Sequence, residues 1–143
     1  MNAAYTLGRI FIPIVFIVEA IQSFLNVGEF AKKLAASQLP IPDEIANLLV
    51  YVGNPPKYEA LGYLIIAVEV ICGLLVLIGL KARWAALVLA VFTACTIIFV
   101  HPFWEGGPDQ IANRTEALKE LSIMGGLLLI VAVGAGPNLV AER

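Results

Sequence analysis

The stretch VEVICGLLVLIGLKARWAALVL, residues 68–89, decides the fold. An apolar run carrying one acid, Glu69, closes at Gly79-Leu80, turns through Lys81-Ala82-Arg83, and a second apolar run opens at Trp84. Traced outward, the first run covers residues 60–80 and the second residues 84–100. Each approaches the roughly 20 apolar residues with which a helix crosses a bilayer core. KAR between two such runs leaves room only for a tight antiparallel helical hairpin.

The whole chain agrees. Its 143 residues are 60% hydrophobic and only 14% charged, with a mean hydropathy of +0.90. Soluble domains carry about 25% charged residues. This chain cannot cover itself with polar surface, so its solvent is lipid. A net charge of −2 offers no basic face to nucleic acid. No Rossmann, P-loop or HExxH pattern occurs. Cys72 and Cys95 stand far apart without a CxxC, which removes a thioredoxin-type dithiol and zinc sites of the usual spacing. They read as small core residues, and their estimated depths argue against a disulfide.

Two further spans are predicted, over residues 7–24 and 118–136. The first contains GRIFIPIVFIVEAIQSF, residues 8–24, where Glu19 repeats the puzzle of Glu69. One basic residue before it and no clean cleavage site after it make it a retained span, not a signal peptide. Pro13 falls in its early turns, where neighbouring helices can satisfy a mild kink. The expected fold is a single all-α domain over residues 1–143, an integral membrane four-helix bundle. A long outer loop contains short interfacial helices, EFAKKLAASQL and PDEIANLLVYV, with LPIP and GNPP as breakers. Phe30, Leu34, Ile45, Leu48, Leu49 and Val52 supply their apolar faces.

Basic residues in short loops set orientation. Arg9, Lys81, Arg83 and Arg143 share one side with the single acid Glu142, while the long loops are acidic. Both termini are expected in the cytoplasm. At 1.5 Å per residue, Glu19 and Glu69 then lie roughly 10 and 13 Å below the outer surface. His101 closes the third span at that side, and Lys119 and Glu120 open the fourth.

Each span has a polar stripe. Glu19, Gln22, Ser23 and Asn26 recur at helical spacing; Glu69 shares a face with Gly62, Cys72 and Gly73. Thr93, Thr96 and Val100 lead to His101 and Trp104, and Thr115, Lys119, Ser122 and Gly126 line the fourth span. Polar residues in lipid turn inward, so the stripes predict a polar chamber in the outer half. An unpaired carboxylate costs about 2.5–3.5 kcal/mol on insertion scales. Glu69 or Glu19 is therefore expected to pair with Lys119, the second glutamate being neutral. Trp84 and Trp104 read as interface anchors. Gly125, Gly126, Ala85, Ala86 and Ala90 read as sites of close helix packing. A single histidine cannot build a bis-histidine haem, and no metal site is expected.

These residues resemble the DoxX family of small four-helix bacterial membrane proteins. The likeness rests on LGRIFIPIVFIVEAIQSF at the start, VEVICGLLVLIGLKARWAALVL in the middle, and LKELSIMGGLLLIVAVGAGP near the close. Arg9, Glu69, His101 and Lys119 fall at family positions. The ending GAGPNLVAER departs from the common one. The resemblance implies a multi-pass protein of the bacterial inner membrane, in some members a subunit of a quinone-linked oxidoreductase complex.

Three functions follow as expectations. In the first, the chain anchors a partner in a redox complex and offers its chamber to a quinone-type head group. Glu19, Gln22, Asn26, Glu69, His101, Trp104 and Lys119 are the candidate ligand-binding residues, with Glu69, His101 and Lys119 as candidate acid–base groups. The chain has no redox centre of its own and no covalent cofactor is expected, so electrons come from a protein partner. In the second, it is a non-catalytic interaction protein whose buried charges fix the bundle. In the third, it is an oligomeric carrier of a small molecule or proton.

Overall fold

The computed structural model describes residues 3–37, 47, 57–104 and 106–134, and regular structure among them is helical throughout. The helices are α1 (Ala3–Leu25), α2 (Val27–Ala36), α3 (Lys57–Ile78), α4 (Ala82–Phe99) and α5 (Gln110–Val133). The first eight residues of the expected interfacial helix EFAKKLAASQL, residues 29–36, lie in α2, and its last two lie outside the described residues. α2 starts one residue after α1, with only the non-helical Asn26 between them. Ile45, Leu48, Leu49 and Val52 lie outside the described residues, as do residues 135–143.

Among the described residues three helices are long and apolar enough to cross a membrane: Ala3–Leu25, Tyr58–Ile78 and Ala82–Phe99. The span predicted over residues 118–136 falls on α5 as far as Val133; the helix begins earlier, at Gln110, carries Glu116 ahead of the predicted start and has Lys119 and Glu120 just inside it. Those charges keep α5 out of the first class. Large apolar side chains face outward on all four long helices, among them Phe11, Ile21, Ile71, Val91 and Leu129. Such a surface suits lipid and would aggregate in water.

The packing follows chain order. α1 lies on α3, α3 on α4, α4 on α5, and α5 returns to α1, while α2 lies mainly on α3. The core joins Phe16, Val76, Leu127 and Ile130 to one face of α4 formed by Ala82, Ala85, Ala86, Leu89 and Ala90. Lipid supplies no hydrophobic force between helices, so association depends on close packing and hydrogen bonds, which small residues permit. Gly73 acts likewise between α1 and α3: a Cβ there would stand 3.3 Å from Ile17 Cγ1. Gly126 faces Ile12 of α1, but Gly125, expected to share that role, faces open space.

The hairpin turn uses Gly79 at φ 86° and Lys81 at φ 48°. Glycine adopts the first without strain; Lys81 accepts a left-handed backbone so that its carbonyl takes the first helical bonds of α4, from Trp84 N and Ala85 N. At the same end, the Tyr5 hydroxyl donates to the Gly134 carbonyl. Arg83 Nη2 donates to the Val133 carbonyl at 3.5 Å. The start of α1, the hairpin and the end of α5 are thereby tied together.

Ala86 is fully buried on the α4 seam. Ala86→Leu should lower stability by about 1–3 kcal/mol through overpacking. Thermal unfolding in detergent checks this, with the outward-facing Val88→Leu as an unaffected control.

Candidate functional site

At the end opposite the hairpin turn the helices part around a cavity of about 710 Å³. Its apolar walls include Phe16, Leu64, Ile65, Phe92 and Ile123. The α1 stripe of Glu19, Gln22, Ser23 and Asn26 faces it, as do Glu69 of α3 and Thr93 and Thr96 of α4. His101 stands just beyond α4, where Pro102 prevents the helix from continuing. α2 forms the rim with Glu29, Phe30, Lys33 and Leu34. It is seated by Leu34, which is buried, and by Phe30, whose ring covers Gly62.

Glu69 is the deepest acid. It is only 4% exposed, and its Oε2 is buried with no hydrogen-bond partner among the described residues. The charges of Glu19 and Glu120 both bear on it. Glu19 remains accessible from the cavity. Glu120 is held: the Thr96 hydroxyl donates to its Oε2 at 2.9 Å, and its Oε1 lies 3.6 Å from His101 Nε2. Burial pushes the His101 imidazole below its ordinary value of 6.5, against the opposing pull of Asn113 and the Glu116 charge. His101 is therefore neutral at pH 7, and its approach to Glu120 is a polar contact, not an ion pair.

The fourth polar stripe does not turn inward. Lys119 pairs with Glu116 at 2.7 Å, with most of its side chain exposed, and makes no ion pair with Glu19 or Glu69, although its charge still acts on Glu19. Thr115 and Ser122 are exposed and bond back to carbonyls of their own helix, Ile111 and Leu118. The cause is packing. Leu127 and Ile130 belong to the core and Ile123 packs against it, which fixes the rotation of α5. Continued back by heptad spacing, that face brings Glu120 and Glu116 inward and carries Lys119 out. The apolar stripe was the signal that could have found Glu120. Trp104 is also outside the cavity, exposed and edge-on to Phe103 at 5.2 Å. Cys72 and Cys95 are both free, and Cys95 lines the cavity.

A helical membrane protein with a carboxylate-lined chamber is thus defined. Residues 4–102 match the DoxX family. The chain is also 34% identical over 117 residues to the inner membrane protein YqjF of Escherichia coli (strain K12), covering 78% of this chain and 87% of that protein. It belongs to the DoxX family. The family match takes in α1 to α4 and His101 and ends before α5. No solved structure matches it.

Two outcomes are expected. Glu120→Leu removes one acceptor of the Thr96 hydroxyl, which keeps the Thr93 carbonyl at 2.8 Å, and should cost about 1–2 kcal/mol. Lys119→Ala breaks only an exposed pair and should cost less than about 1 kcal/mol. Thermal unfolding of both variants in one detergent checks the contrast. Separately, the resonances of His101, the one histidine in the sequence, should titrate below pH 6.5 in NMR spectra.

Proposed function

We propose that this protein is a four-helix bundle of the bacterial inner membrane, with both termini in the cytoplasm. In this reading it is a subunit of a quinone-linked redox complex. It holds a quinone-type head group in the outer chamber and exchanges electrons through a protein partner. The observation that carries the reading is Glu69 lining an apolar-walled cavity, with a buried Oε2 that has no partner among the described residues.

The residues present fit such a group. Ligand sites commonly enclose about 300–1,000 Å³ and combine apolar walls with a few placed polar groups, and this cavity of about 710 Å³ has that make-up. A quinone supplies a two-electron, two-proton couple when bound. Glu69 can accept a hydrogen bond from a ring hydroxyl. Gln22 and His101 can donate to a ring carbonyl. Glu120, beside His101, can hold a proton on the way to the outer mouth. The packing-device reading is weakened, because the lysine expected to neutralise the buried glutamates is occupied by Glu116.

Protein extracted gently from its own membrane should carry quinone detectable by native mass spectrometry. Glu69→Gln should reduce the bound fraction roughly fivefold or more, since the amide offers one acceptor oxygen in place of two. Equal loading of both proteins would remove the site from this reading.

A further inference from the structure

We propose that the chamber also binds a hydrophobic protonated amine. Its ammonium group donates a hydrogen bond to Oε2 of Glu69 between Glu19 and Glu120, and its apolar body lies against Phe16, Leu64 and Phe92. The proposal needs only the chamber and stands apart from the quinone reading.

Charge is the first argument. Glu19, Glu69 and Glu120 face one cavity, and Glu69 feels the other two. Like charges in a low-dielectric site repel strongly, and either a proton held on one carboxyl or a cation among them relieves that repulsion. The neighbouring bases do not supply this cation. Lys119 is paired with Glu116, and its charge acts on Glu19 but is not among those that act on Glu69. Lys33 is exposed on the rim, and His101 is neutral at pH 7.

Hydrogen bonding is the second, independent argument. Glu69 lines the cavity and is buried, and its Oε2 has no donor among the described residues. A buried acceptor left unmade costs about 1–3 kcal/mol, more when charged. An N–H of an ammonium group provides both the missing donor and the missing charge. A neutral ligand provides at most the donor. A quaternary ammonium provides only the charge.

Shape is the third. Aromatic and aliphatic walls above a polar floor fit an amphipathic molecule and not a bare inorganic cation, which would need an all-oxygen cage. Among the described residues no group of His, Cys, Asp or Glu is arranged to hold a metal ion.

The test is equilibrium binding of tritiated 4-phenylbutylammonium to the full chain in phosphatidylcholine nanodiscs, whose zwitterionic lipid adds no anionic background. The parent should bind saturably. Glu69→Gln should weaken binding roughly tenfold or more, and Glu19→Gln should weaken it less but in the same direction. Glu59→Gln, on α3 and away from the cavity, should leave it unchanged. The trimethylammonium analogue should bind roughly tenfold more weakly than the primary amine, since it has no N–H to donate. Equal affinity in parent, Glu69→Gln and Glu19→Gln would overturn the site. Equal affinity for the two amines would overturn the hydrogen bond to Glu69. If Glu69→Gln fails to fold, Glu19→Gln and the pair of amines still decide.

Discussion

The contact of α5 with the alanine face of α4 governs everything at the other end of the molecule. Ala82, Ala85, Ala86 and Ala90 let the two helices approach, and Leu127 and Ile130 fill the seam. In lipid no general hydrophobic force would hold this pair together, so packing must. Packing is specific to rotation about the helix axis. Once Leu127 and Ile130 face α4, Glu120 has to face the chamber and Lys119 has to leave it. The electrostatic character of the cavity, rich in carboxylate and short of lysine, is a consequence of apolar contacts elsewhere along the same helix.

The chamber exists because two ends of the structure are built differently. At the hairpin end small residues, the Tyr5 to Gly134 bond and Arg83 on Val133 draw the helices together. At the far end the cavity lies between the long helices, with α2 across its rim. α2 leaves the axis of α1 at Asn26 and crosses to α3, where Gly62 makes space for the Phe30 ring. The polar stripe of α1 is thereby kept open to the cavity and not covered by its own continuation. Glu69 can stay without a partner there because the surrounding walls are held by contacts in which it has no share.

Much of this was legible in the sequence. Apolar runs around Glu19 and Glu69 announced α1 and α3, and KAR announced the hairpin. The stripes of α1 and α4 pointed to the cavity because the outer halves of both helices are apolar on their other faces, so polar residues there had one way to turn. α5 misled for a physical reason. Its first half is charged nearly all round, so polarity alone does not define an inner face there. Thr115, Lys119 and Ser122 look like a stripe, but Thr115 and Ser122 satisfy themselves on the backbone of their own helix. Only the long-range match of Leu127 and Ile130 to α4 settles the rotation, and a single sequence does not say which helix packs on which. The start of α5 was missed for a related reason: a polar helical segment lacks the apolar run that marks a span.

The charges of α5 have a consequence for how the protein is made. Glu116, Lys119 and Glu120 make this helix a poor entrant into a bilayer on its own account, since each charge at depth resists insertion. Beside α4 the same helix finds Thr96 for Glu120 and an alanine groove for its apolar half. In the proposed bundle its entry into the membrane is therefore coupled to helices already there. Biogenesis becomes ordered: the hairpin of α3 and α4 must be in place as a receptor before the last helix can come in from the aqueous side and seal the chamber.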